Sequence, residues 1–168
     1  MIKEEKLESQ IKNVSEQFLK KTENKEILII SHFDTDGISS AAIMIKTLRK
    51  LKKNFSLKII KQLEKEFIFS LPKNKILIFL DLASGSLKNI KESGLKDVFI
   101  LDHHEITSEI PENVFIVSPE LDKKQKISAS GVAYLFCKQI NNEKDLAKLA
   151  VLGMIGDQLE KEIEKINH

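Results

Sequence analysis

The chain has 168 residues, the length of one ordinary domain, and its 42% hydrophobic and 31% charged residues fall in periodic blocks, which excludes a disordered polymer. With 27 basic and 25 acidic residues the net charge is only +2, and Arg49 is the sole arginine, so neither a strongly basic nucleic-acid binder nor an arginine cluster gripping phosphate is encoded. The single cysteine, Cys137, excludes an internal disulfide and a cysteine-rich zinc site and sits in an apolar helical pattern as a core residue. No apolar run approaches the ~20 residues of a membrane span, and the charged N-terminus lacks a signal-peptide core, so a cytoplasmic protein without membrane contact is expected.

In chain order, Ile2, Leu7, Ile11, Val14, Phe18 and Leu19 recur at helical spacing and predict an amphipathic helix, within residues 1–24, that packs on the following domain or leads into it. Residues 27–31 read as the first strand, because the continuous Ile27-Leu28-Ile29-Ile30 run is the mark of burial on both faces of a parallel sheet. A helix is expected over 38–53, a strand over 57–60, and no clear assignment over 62–70. Strands follow at 75–80, 98–101 and 114–117, with a short helix at 86–93 closed by Gly94. Two helices are expected at 129–140 and 143–155. The polar stretch 159–168 reads as a tail, and 25–158 as one α/β domain with a mostly parallel, Rossmann-like sheet of about five strands flanked by helices.

In such sheets ligands gather beyond the carboxyl ends of the strands. His32, Asp34 and Asp36 follow the first strand, Asp81 the third, and Asp102-His103-His104 the fourth. Taken singly each is ordinary, because an Asp after a strand is usually a cap and Asp36-Gly37 usually a turn. Together they place three of the four histidines and four aspartates on one sheet edge. Carboxylates mixed with imidazoles suit Mn²⁺, Mg²⁺ or Co²⁺, and paired ions of this kind acidify water and stabilise charge on phosphoryl oxygens. Asp34 and Asp36, two apart on an extended segment, would face the same side, and Asp81 on a neighbouring strand is the natural bridge between two ions. Ser39, Ser40 and the backbone at Gly37 open a helix and could cradle phosphate, as could Ser130 and Gly131 at a second helix start.

His32-x-Asp34-x-Asp36-Gly37, Asp81 and Asp102-His103-His104 together resemble, in order and spacing, motifs I to III of the DHH phosphoesterase superfamily, and the H-x-D-x-D-G form resembles its RecJ-like branch. Ser128-Ala129-Ser130-Gly131 with Gly153-Met154-Ile155-Gly156-Asp157 is similar to the archaeal RecJ-like motif IV. The resemblance implies two divalent ions, Mn²⁺ foremost, held by Asp34, Asp36, Asp81, His103 and Asp157, with Asp81 bridging and His32 as a further ligand or close neighbour. It implies that His104 contacts the scissile phosphate or donates a proton, with Asp102 orienting it, and that single-stranded DNA or RNA is hydrolysed from an end. No DHHA1 substrate-binding domain is recognisable after Asp157. The expectation is therefore a split enzyme completed by a DHHA1-bearing chain or a GINS-type replication protein, a fragment, or a domain that works alone. A small-molecule phosphoesterase acting on oligonucleotides, cyclic dinucleotides or pyrophosphate, and a non-catalytic replication scaffold, are the alternatives.

Overall fold

A computed structural model of the chain describes residues 4–122 and 126–159. Five strands, β1 (Ile27–His32), β2 (Phe55–Ile60), β3 (Ile76–Leu80), β4 (Val98–Leu101) and β5 (Val114–Val117), form one sheet in the order β2-β1-β3-β4-β5, with every pair parallel. The apolar runs that predicted both-face burial are buried throughout β3 and β4 and in β1 up to Ser31, while the edge strand β2 is mostly exposed.

Helices cover both faces. On one lie α1 (Leu7–Lys21), α2 (Thr35–Lys50), α5 (Ala129–Asn141) and α6 (Ala147–Gly156), packed over Ile27, Ile29, Ile78 and Phe99; on the other lie α3 (Lys65–Ser70) and α4 (Leu87–Ser93), packed over Ile30, Phe79 and Ile100. The N-terminal helix docks on this domain: Leu7, Ile11, Val14 and Phe18 are buried, and the Phe18 ring meets Phe99 and Phe136 edge-on at centroid distances of 5.2 and 5.5 Å. Cys137 is fully buried, which pushes its thiol up to about 12 and leaves it inert, as its apolar setting predicts. The unassigned stretch 62–70 contains α3, a helix of six residues whose period is too short to read. Residues 160–168, the bulk of the expected polar tail, lie outside the described residues. Among the described residues, no helix is long and apolar enough to cross a membrane.

The chain leaves β1 toward β2 on one side and reaches β3 on the other, so the order of connection reverses beside β1. That reversal opens a crevice at the carboxyl edge. The segments that follow β1, β3 and β4 all end there.

Candidate metal centre

At the end of β1 the backbone turns sharply into a helix. Asp34 caps α2, its Oδ1 accepting the Gly37 amide at 2.9 Å, and Ser31 Oγ donates to the Gly37 carbonyl at 2.7 Å. The cap starts α2 at Thr35, three residues before the apolar periodicity would place it. Asp34 and Asp36 are thus not on an extended segment, and they do not face the same neighbours as expected. Asp34 Oδ2 lies 2.7 Å from His32 Nδ1. Asp36 turns inward, where its carboxylate accepts the amides of Ala129 at 2.7 Å and Ser130 at 3.0 Å at the start of α5. Its Oδ2 is 4.0 Å from His103 Nε2.

The same contacts involve the residues of the two expected phosphate cradles. The amides at the start of α5 are occupied by the chain's own groups, because Asp36 takes Ala129 and Ser130, while Gly131 donates to Ser128 Oγ at 3.4 Å. Ser39, Ser40, Ser130 and Gly131 are buried; Ser40 Oγ donates to the Asp36 carbonyl at 2.8 Å and Ser130 Oγ to the Ala150 carbonyl at 3.0 Å. Gly37 is required by close approach: a Cβ there would strike the carbonyl and Cβ of His32. These residues build the site's walls.

Asp81 sits at the centre. It follows β3 with φ of 59°, a left-handed conformation that Asp tolerates, and the turn continues through Ala83 at φ 93°, which an alanine adopts only under strain. The twist directs a side chain only 1% exposed between two histidines: Oδ2 is 3.4 Å from His32 Nδ1 and Oδ1 is 3.4 Å from His103 Nε2. Neither oxygen makes an aligned hydrogen bond, nor does His32 Nδ1 despite its short approach to Asp34. Buried lone pairs that converge without donors are costly in an apo protein. Burial pushes the Asp81 carboxyl up, His103 draws it back, and repulsion from Asp36 and Asp34 adds to the rise, leaving it at about 7.

Asp157 caps the C-terminal end of α6, its Oδ2 3.1 Å from His103 Nε2. Burial raises its pKa and Asp36 adds to the rise, against the pull of His103. His103 is itself held above the usual imidazole range, since Asp81 and Asp157 outweigh the cost of its burial. Asp34 stays below the usual carboxylate range: burial acts to raise it, but the Gly37 amide and His32 prevail.

Asp102 has a different task. It is fully buried, with Oδ1 accepting the His103 amide at 2.8 Å and standing 2.7 Å from His104 Nδ1, while Oδ2 accepts the Ser84 amide at 3.0 Å. It shapes the loop and fixes the His104 ring. The Asp102 carboxylate is the main reason the His104 imidazole rises to about 9.

The ligand-type atoms gather in three overlapping groups, each within 4.8 Å: His32, Asp34 and Asp81; Asp36, His103 and Asp157; and Asp81, His103 and His104, which joins the other two. The first two groups, each two carboxylates with one imidazole, fit a hard or borderline divalent cation, while the joining group offers one carboxylate and two imidazoles. Sequence reasoning missed what positions α6. A Cβ on Gly153 would meet Ser130 Oγ and approach Asp36 Oδ1 to 2.6 Å, and one on Gly156 would approach the Thr35 Cβ to 2.6 Å. The Gly153-x-x-Gly156 spacing, close to one helical turn, was the available signal of a helix seated directly on the donors.

The DHH family, N-terminal domain, matches residues 26–156. An uncharacterised protein of Methanocaldococcus jannaschii is 39% identical over 142 residues, covering 78% of this chain and 32% of that protein. The single-stranded-DNA-specific exonuclease RecJ of Bacillus subtilis is 29% identical over 153 residues, covering 81% of this chain and 19% of its own length. The chain therefore spans about a third and a fifth of these two relatives. Among solved structures, an exonuclease RecJ bound to manganese superposes with a TM-score of 0.76 at 20% identity, over 97% of this chain and 47% of that chain, which establishes the fold.

Proposed function

The chain belongs to the DHH family, and from that premise we propose that it is a divalent-metal-dependent phosphodiesterase that hydrolyses single-stranded nucleic acid from an end, in cytoplasmic DNA repair or replication. Residues 25–158 form the proposed catalytic unit. The observation that carries the proposal is Asp81, a buried carboxylate whose two oxygens are divided between two donor groups and lack hydrogen-bond partners. On this reading His32 and Asp34 would hold one ion and Asp36, His103 and Asp157 the other, with Asp81 placed to serve both. Mn²⁺ is the proposed metal, given the mixed carboxylate and imidazole donors. When bound, such a pair acidifies water and neutralises charge developing on the phosphoryl oxygens.

The protein's own groups do the rest. Asp102 engages His104 Nδ1, which leaves Nε2 as the atom free to donate. His104 is half exposed at the rim, and Asp102 favours the charged form of its ring, so it is placed to hydrogen-bond a phosphoryl oxygen and pass its proton to the departing oxygen. The relative named as a single-stranded-DNA-specific exonuclease supports the choice of a strand as substrate. A contribution from a separate DHHA1-bearing or GINS-type chain belongs to the same proposal.

The test is cleavage of end-labelled single strands by the purified chain with Mn²⁺, alone and with candidate partner proteins, alongside a dinucleotide and pyrophosphate. Cleavage of the strand that Asp81→Ala abolishes is the expected result; full activity in Asp81→Ala overturns the reading.

A further inference from the structure

Phe33 stands between two donors, His32 and Asp34, yet the residue is 48% exposed. An isolated exposed phenylalanine is unremarkable on most surfaces. Here it lies on the lip of the metal centre, edge-on to the His32 ring at a centroid distance of 5.0 Å. The neighbouring edge strand β2 ends at Ile60, and the loop after it brings Lys61 Nζ to 5.9 Å from the centre of the Phe33 ring. That distance is at the outer limit of a cation–π contact. Lys61 has no carboxylate partner among the described residues.

A cavity of about 400 Å³ opens at this point. Its wall includes His32, Asp81 and His104 on the donor side and Lys61, Gln62 and Leu63 on the other. Lys61 is the only lysine or arginine in that wall. The cavity thus has an anionic, metal-suited floor and a cationic lip, and Phe33 adjoins it through its contacts with two of the lining residues, His32 and Lys61. Two further lysine–phenylalanine contacts involve β2 and α3, Lys58 Nζ 5.4 Å from the ring centre of Phe67, which packs against the core, and Lys65 Nζ 5.4 Å from that of the exposed Phe69, although Lys65 also meets Glu92 at 3.7 Å. Aromatic faces interleaved with cations are the pattern by which proteins hold single strands without reading their sequence.

We propose that Phe33 and Lys61 grip the nucleotide adjoining the scissile bond, a base stacking on the Phe33 ring and Lys61 swinging from that ring to the strand's phosphate. The β2–α3 edge, rather than a helix N-terminus, is then the side from which the strand enters. The inference rests on the phosphodiesterase reading for its substrate class.

Binding of a fluorescein-labelled oligothymidylate to the full chain, measured by anisotropy with Ca²⁺ in place of Mn²⁺, tests it apart from hydrolysis. Phe33→Ala should weaken binding roughly tenfold or more, and Phe33→Trp should retain it. An abasic residue moved along the strand should find one position that costs the wild type most and costs Phe33→Ala little. Lys61→Ala should lower the slope of log affinity against log salt by about 0.7, one phosphate contact on a single strand. The Mn²⁺-induced rise in melting temperature should persist in both alanine variants. The proposal is overturned by wild-type affinity in both alanine variants, by failure of the wild type to bind any strand, or by loss of the Mn²⁺ response in Phe33→Ala, which would make the ring a prop for the donors. Phe33-dependent binding without any hydrolysis would uphold the grip and sink the phosphodiesterase reading; hydrolysis indifferent to both substitutions would do the reverse.

Discussion

Asp81→Asn should make the metal-free protein more stable while abolishing its response to metal. The Asp81 carboxyl moves from an ordinary 3.8 to about 7, through burial first and then repulsion from Asp36 and Asp34, against the pull of His103. A raised folded-state pKa means a contribution to stability that is fully present below 3.8 and is lost as pH rises through about 7. At pH 8 the apo protein therefore carries the whole cost of the charge. A gap of about three units corresponds to about 4 kcal/mol, an upper bound because neighbouring carboxylates share the proton and His103 gains from the charge. Asparagine keeps the shape and removes the charge, and should recover about 2–4 kcal/mol, a rise in melting temperature of roughly 5–15 °C for a chain of this size. The assay is thermal unfolding at pH 8 in chelator and in Mn²⁺. Wild type should gain stability with Mn²⁺ and the variant should not. A variant less stable than wild type in chelator, or one that responds equally to Mn²⁺, would refute the argument that Asp81 is a strained, metal-awaiting bridge.

Gly153→Ala should destabilise the fold by about 1–3 kcal/mol and weaken Mn²⁺ binding together, because the added methyl strikes Ser130 and the Asp36 carboxylate; urea unfolding and a metal titration check both. In the metal-free protein the His104 ring should titrate near 9 by NMR, and Asp102→Asn should return it toward 6.5, since the Asp102 carboxylate is the main cause of the rise. Free Mn²⁺ at a hundred times its dissociation constant should stabilise the wild type by about 2.7 kcal/mol in chemical unfolding; an unchanged midpoint would show that the native fold does not bind it.

The sheet was legible because β1, β3 and β4 are buried on both faces and therefore read as unbroken apolar runs ending in polar donors. The gathering of His32, Asp34, Asp36, Asp81, His103 and His104 followed from one topological rule about strand ends. What was not legible was geometry fixed by capping and close approach. Residues 34–37 could be an extended ligand loop or the cap and first turn of a helix, and only the Gly37 amide on Asp34 decides between them. A helix start such as 128–131 reads as an anion site from sequence, but here the anion is Asp36, ninety-odd residues away in the chain. Lys61 reached the rim only because β2 pairs with β1, a neighbour relation that composition does not encode.

The central claim is a pair of metal ions bridged by Asp81, and electron paramagnetic resonance of the Mn²⁺-loaded chain tests it most directly. Two ions per chain with the multiline signal of an exchange-coupled pair, lost in Asp81→Ala, is the predicted result. A simple six-line spectrum from one isolated ion per chain, unchanged by that substitution, would contradict it.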